Sequence, residues 1–119
     1  MGAIVFTANG NFIVVRNGDG PLAVKGLYRG APIKTAIPFG PERCIVLIDP
    51  ESSRANLFEN LLCIGKTGRA LWRAALPSMP DTFIDASLSE AGILAHSMSG
   101  YRLVIDPTTG GEIEKEFAK

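Results

Sequence analysis

No stretch of this chain stays apolar for long. Runs of roughly four to eight residues rich in Val, Ile, Leu and Phe recur from one end to the other, each cut off by a cluster of Gly, Pro, Asn, Asp or Ser. The runs have the length of strands. The clusters are the residues that reverse a chain, because Gly accepts positive φ, Pro presets φ, and Asn and Asp bond to nearby backbone. The pattern predicts an all-β fold of antiparallel sheets. With 46% hydrophobic and only 20% charged residues, a chain of 119 residues has enough apolar surface to order itself as one globular domain.

Ala3 to Thr7 and Phe12 to Arg16 form a first hairpin around Asn9-Gly10, a pair suited to a two-residue reverse turn. The turn Asn17-Gly18-Asp19-Gly20-Pro21 hands over to a strand from Leu22 to Tyr28. Gly30, Pro32, Pro38, Gly40 and Pro41 then break up a less regular stretch whose strand is Ile33 to Ile37, an edge or loop because Pro cannot donate to a ladder. Further strands are expected at Cys44–Asp49, Leu57–Ile64, Arg69–Leu76, Thr82–Leu88, Gly92–Met98, Tyr101–Asp106 and Glu112–Phe117. Ser52 to Leu62 also has helical spacing, with apolar residues at 57, 58, 61 and 62. The chain thus divides into N-terminal hairpins over 1–42 and a repeat region over 43–119 within one domain.

The repeat matches Ile64 with Ile105, an offset of 41, and Gly68 with Gly110, an offset of 42. Its unit is an apolar strand, a tight turn ending in Gly, and a second strand with a large apolar residue three past the Gly, Leu71 or Ile113. Leu62, Ile64, Leu71, Leu103, Ile105 and Ile113 are expected to line the same kind of inter-sheet core in both units. From Asn60 onward, "NLLCIGKTGRALWRAALP" and "DTFIDASLSEAGILAHSMSGYRLVIDPTTGGEIEKEFAK" resemble the blade units of quinoprotein-like and WD-type β-propellers, especially a group of small uncharacterised bacterial proteins. The resemblance implies propeller-blade-like sheets, forming a partial propeller or a sandwich, and no reaction. It also suggests a small antitoxin-like or immunity-type partner of a larger protein.

Twelve basic residues balance twelve acidic ones, and no basic run is present, which argues against nucleic acid as a partner. No apolar run approaches the roughly 20 residues a membrane-crossing helix needs, and the N-terminus has no positive n-region. A cytoplasmic chain without membrane association is expected. Cys44 and Cys63 lie in apolar runs and are expected in the core. With one His besides them, a four-ligand zinc site is out of reach, and no cofactor is expected.

The motifs that could carry chemistry are weak. Gly65-Lys66-Thr67 lacks the earlier Gly and the following helix of a phosphate loop, and Asn17-Gly18-Asp19-Gly20 lacks the remaining oxygens a calcium loop needs. A hydrolase would combine His96 with Asp85 or Asp106 and with Ser87, Ser97 or Ser99, but the G-x-S-x-G elbow is missing. Arg69, Trp72, Arg73, His96, Tyr101 and Arg102 form the candidate binding surface, since Trp, Tyr and Arg dominate interface energies. The function expected is a non-enzymatic protein-interaction module, with a protein partner or a second copy bound through the last sheet. The alternative is a small-molecule binder or hydrolase with a pocket near His96.

Overall fold

The structure, a computed structural model, describes residues 3–8, 11–16, 27–28, 31–40, 43–50, 59–65, 69–78 and 81–117, with side chains from residue 31 onward. Eleven strands lie in these residues: β1 (Ala3–Ala8), β2 (Asn11–Arg16), β3 (Leu27–Tyr28), β4 (Ala31–Pro38), β5 (Arg43–Ile48), β6 (Leu61–Gly65), β7 (Ala70–Arg73), β8 (Phe83–Ser89), β9 (Gly92–Ser97), β10 (Tyr101–Ile105) and β11 (Glu112–Phe117). Each pairs antiparallel with its neighbour in sequence, giving a β1-β2 hairpin, a five-stranded sheet β3-β4-β5-β6-β7 and a four-stranded sheet β8-β9-β10-β11. The fold is all-β and its two larger sheets are antiparallel meanders.

The apolar runs explain the stacking. Cys44, Val46, Ile48, Leu62 and Ile64 face one way from the five-stranded sheet and join Ala31, Ile33 and Ala36 in a buried cluster. The β1-β2 hairpin touches β4 and β6, on either side of β5, and so lies across that face. Ile45, Leu47, Leu61 and Cys63 face the other way, against Phe83, Ile93, Ala95, Leu103 and Ile105 of the four-stranded sheet. A strand covered on both faces has no side that must be polar, which is why CIVLI and LLCI do not alternate. Each fully buried Leu or Ile contributes about 1.5–3 kcal/mol.

Cys44 and Cys63 are on adjacent strands, yet they belong to the two opposite faces and remain free thiols. Burial, with the neighbouring Cys63, pushes the Cys44 thiol up to about 12, and burial raises Cys63 as well. Both behave as small apolar core residues.

Several expectations are corrected. The proline-flanked stretch is an eight-residue strand, β4, with Pro32 near its start and Pro38 at its end; among the described residues β3 pairs with only Ala31 and Pro32, which leaves the rest of the outer side of β4 as an edge. The strand expected from Leu57 begins at Leu61, and Leu61 and Leu62 are strand, not helix; 51–58 lie outside the described residues, as do the turns at 9–10, 17–21 and 66–68 and the stretch 22–26. Leu71 and Ile113 are exposed at 47% and 57% and line no core. A β-bulge interrupts the β6-β7 ladder at Cys63/Ile64 and the β10-β11 ladder at Val104/Ile105. Leu71 and Ile113 are the extra residues that these bulges leave unpaired, so simple alternation fails at both. The remaining four are buried, Leu62 and Ile64 toward the hairpin and Leu103 and Ile105 toward the five-stranded sheet.

The repeat therefore extends to its irregularity. β6-β7 and β10-β11 are the last two strands of their meanders and carry the bulge at matching positions. Earlier strands drift out of the 41-residue offset because 12 residues, 49–60, join β5 to β6 while only 98–100 join β9 to β10.

Candidate interaction surface

The four-stranded sheet has one face on the core and one facing away from it. Pairing register lines up Asp85, His96, Arg102 and Glu116 in one row across β8, β9, β10 and β11, and Ser87, Leu94, Val104 and Glu114 in the next. In the first row His96 Nδ1 lies 2.7 Å from Asp85 Oδ1, and the Arg102 guanidinium donates to Glu116 Oε1 through both Nε and Nη2. Glu116 holds the Arg102 pKa above its ordinary value through that hydrogen bond and its charge. The same two rows in the five-stranded sheet read Thr35, Leu47, Leu61 and Ile37, Ile45, Cys63, Trp72. There they are overwhelmingly apolar and lie under the next sheet. At the equivalent places of the first row the four-stranded sheet carries polar side chains bonded to one another, and the second row mixes Leu94 and Val104 with Ser87 and Glu114.

The six residues of the expected surface do not come together. His96 and Arg102 are neighbours in the charged row. Tyr101 points to the opposite face, where its ring meets Phe117 edge-on at a centroid distance of 5.3 Å and Lys115 Nζ sits 5.6 Å from it. Trp72 is buried between the sheets and its Nε1 donates to Pro107 O at 3.0 Å, so it supports the β10-β11 turn and offers no surface. Arg69 and Arg73 are exposed beside and at the end of β7.

Among the described residues His96 hydrogen-bonds to Asp85 and to none of Ser87, Ser97 and Ser99. Asp85 and His96 are paired beside an open depression of about 430 Å³ that Ile84, Ser97, Met98, Gly100 and Tyr101 also line. Asp106 instead caps its own turn, accepting from Thr108 N at 2.8 Å. Ser97 and Ser99 belong to a separate network around Asp81, which sequence reasoning missed. Asp81 Oδ2 accepts from Ser99 Oγ at 2.6 Å and Ser78 Oγ at 3.0 Å, while Oδ1 accepts from Thr82 N at 2.8 Å and Ser99 N at 3.1 Å. Desolvation pushes this carboxyl upward, but the hydrogen bonds from Ser99, Thr82 and Ser97 outweigh it and leave the pKa lowered. Its chemistry is that of a fixed anion tying Ser78 and Thr82 to Ser99.

Asn60, fully buried, is the second residue missed. Its Nδ2 donates to Ile48 O at 3.0 Å and Phe83 O at 2.8 Å, and its Oδ1 accepts from Phe83 N at 2.8 Å, clasping one sheet to the other. A lone Asn before an apolar run reads as a turn residue; its reach across sheets has no local signal.

What remains open is an edge. Among the described residues β11 has β10 as its one strand neighbour, and all six of its residues are exposed. The bulge puts Glu112 on the core side with Ile105, and leaves Glu114 and Glu116 beside Val104 and Arg102 on the outer side. Lys115 and Phe117 lie on the core side, and Lys115 Nζ is 4.0 Å from Glu112 Oε1.

Residues 32–117 match the family described as a domain of unknown function, DUF7957. No curated protein and no solved structure matches the chain.

Proposed function

We propose that the chain, which belongs to the DUF7957 family, is a non-enzymatic protein-interaction module acting through the free edge of its last sheet. The observation that carries this is β11, a six-residue strand exposed throughout, with Ile113 and Phe117 among the most exposed large apolar residues described. An edge strand presents unpaired N–H and C=O groups that another chain can join. On the outer face of the same sheet Arg102 is already paired with Glu116 and His96 with Asp85, whereas the edge has no such internal pairing of its backbone groups among the described residues. The partner is a protein or a second copy, not nucleic acid or membrane, in a cytoplasmic setting. Kinship with quinoprotein-like and WD-type blades and an immunity-type role belong to the same proposal, supported by the stacked meanders and their matching bulges.

A photo-crosslinking residue placed at Ile113, illuminated in extract of the source cells, tests it. The expected result is a discrete protein adduct, at twice the chain's mass for self-association or at another mass for a partner. Absence of an adduct, or an equal yield from the same group at Leu88, overturns the proposal.

The paired Asp85 and His96 beside a depression support a second reading, a small-molecule site. Ligand-induced NMR shifts at His96 that a His96→Ala variant abolishes while staying folded are its test.

A further inference from the structure

Resting on the reading of β11 as an interaction edge, we infer that it takes a strand from a different protein, one alternating basic with apolar residues, rather than the β11 of a second copy. The reason is a parity rule. A two-fold axis that pairs two copies of one strand antiparallel runs normal to the sheet, so each face continues as the same face across the joint. Residues opposite one another across an antiparallel ladder share a face. In the regular part of β11 the outer face holds Glu114 and Glu116, and the core face holds Lys115 and Phe117. The symmetric registers centred on Glu114, Lys115 or Glu116, which keep most of the regular part of the strand paired, therefore set Glu114 or Glu116 against a glutamate of the other copy, and centring on Lys115 adds Lys against Lys. Like charges directly opposite each other destabilise a sheet. Charge on the edge thus disfavours self-pairing, one of the ways natural sheets guard their edges.

The same pattern defines what fits. A Lys or Arg on the incoming strand opposite Glu114 makes a favourable cross-strand pair. The next residue, on the core side, meets Lys115 and Phe117, and the Phe117 ring, 59% exposed and stacked edge-on against Tyr101, offers it apolar contact. Arg102 already partners Glu116, so Glu114 is the residue that sets the preference.

The probe is a dye-labelled octapeptide alternating Lys and Val, followed by fluorescence anisotropy and by hydrogen exchange of the β11 amides. Two further octapeptides are compared with it: four Lys followed by four Val, which has the same charge without the alternation, and alternating Glu and Val. The alternating Lys peptide is expected to bind best, to slow exchange in β11, and to weaken as salt rises. Glu114→Lys is expected to weaken it about fivefold, the effect of turning one cross-strand attraction into repulsion, while Glu90→Lys, the same charge change in the exposed β8-β9 turn, does much less. Equal binding of the block peptide, unchanged β11 exchange, or equal effects of the two variants overturns the inference. So does a wild-type chain whose β11 amides become protected as its own concentration rises. If these fail while the Ile113 adduct to another protein persists, the edge is an interaction site of different chemistry; if the adduct is absent too, both readings fall.

Discussion

Asp81 shows how much a single side chain can organise. Its two oxygens accept four hydrogen bonds from three residues, and replacing it with Ala leaves two backbone N–H groups and two hydroxyls without it. Asp81→Ala is expected to cost about 3 kcal/mol, as the loss of a buried, charged acceptor does, measured as a fall in the urea midpoint at constant slope. The folded pKa is lower than the unfolded one, so the folded state favours the ionised form. The associated stability is complete above the ordinary carboxylate range of about 4 and drains away as pH falls through the lower, folded value. The stability gap between wild type and Asp81→Asn is therefore expected to be constant near neutrality and to narrow below about pH 4; a gap that stays constant down to pH 2 contradicts the assignment. None of this was legible beforehand. Ser97, Ser99 and Asp81 look like ordinary turn residues, and only the fold brings two turns 18 positions apart onto one carboxylate.

The hairpin is the element in which sequence and structure agree best, and also where alternation misleads. Gly110 has φ of 79°, as expected of the residue that closes the turn, but the structure adds a second reason for it. A Cβ there would lie 2.5 Å from the Trp72 ring. Gly110→Ala is expected to cost at least about 2 kcal/mol, combining left-handed strain with overpacking, and to alter the near-ultraviolet circular dichroism of the chain's one Trp. Leu71 and Ile113 were expected inside on chemistry and spacing, and a one-residue bulge in each repeat turned them out. A bulge is set by how the ladder and turn fit together, so it leaves no mark in the pattern of apolar residues alone. Ile105→Ala is accordingly expected to destabilise by about 2–5 kcal/mol, and Ile113→Ala by less than about 0.5 kcal/mol. Equal costs in denaturant titrations would contradict the bulged register.

At the scale of the molecule, the layers set a question that the chain's composition leaves open, namely why the outer face of the four-stranded sheet is polar where that of the five-stranded sheet is apolar. The all-β class and the core placement of Cys44 and Cys63 were legible from the runs themselves, whereas the coverage of β5 and β6 on both faces and the scatter of Arg69, Trp72, Arg73, His96, Tyr101 and Arg102 over separate surfaces were not, because which strands share a face depends on register. That register sets His96 and Arg102 at the places held by Leu47 and Leu61 one layer earlier. In the inner sheet those leucines are buried by the sheet that follows; in the outer sheet the charged row meets solvent and pairs within itself. If those polar side chains are what keeps a further sheet off this face, putting the inner sheet's residues there should let one pack on it. The double variant His96→Leu/Arg102→Leu leaves Asp85 and Glu116 exposed enough to be solvated without their partners, 56% and 61% by side chain, so folding is expected to survive, as surface ion pairs contribute little. The new leucines join Leu94 and Val104 in one apolar patch, and exposed patches of that kind drive association. Light scattering on the eluting protein is expected to show a mass that rises with concentration above that of the wild type, with exchange slowed in β9 and β10. A double variant whose mass matches the wild type at every concentration would mean that shape, not charge, closes the last face.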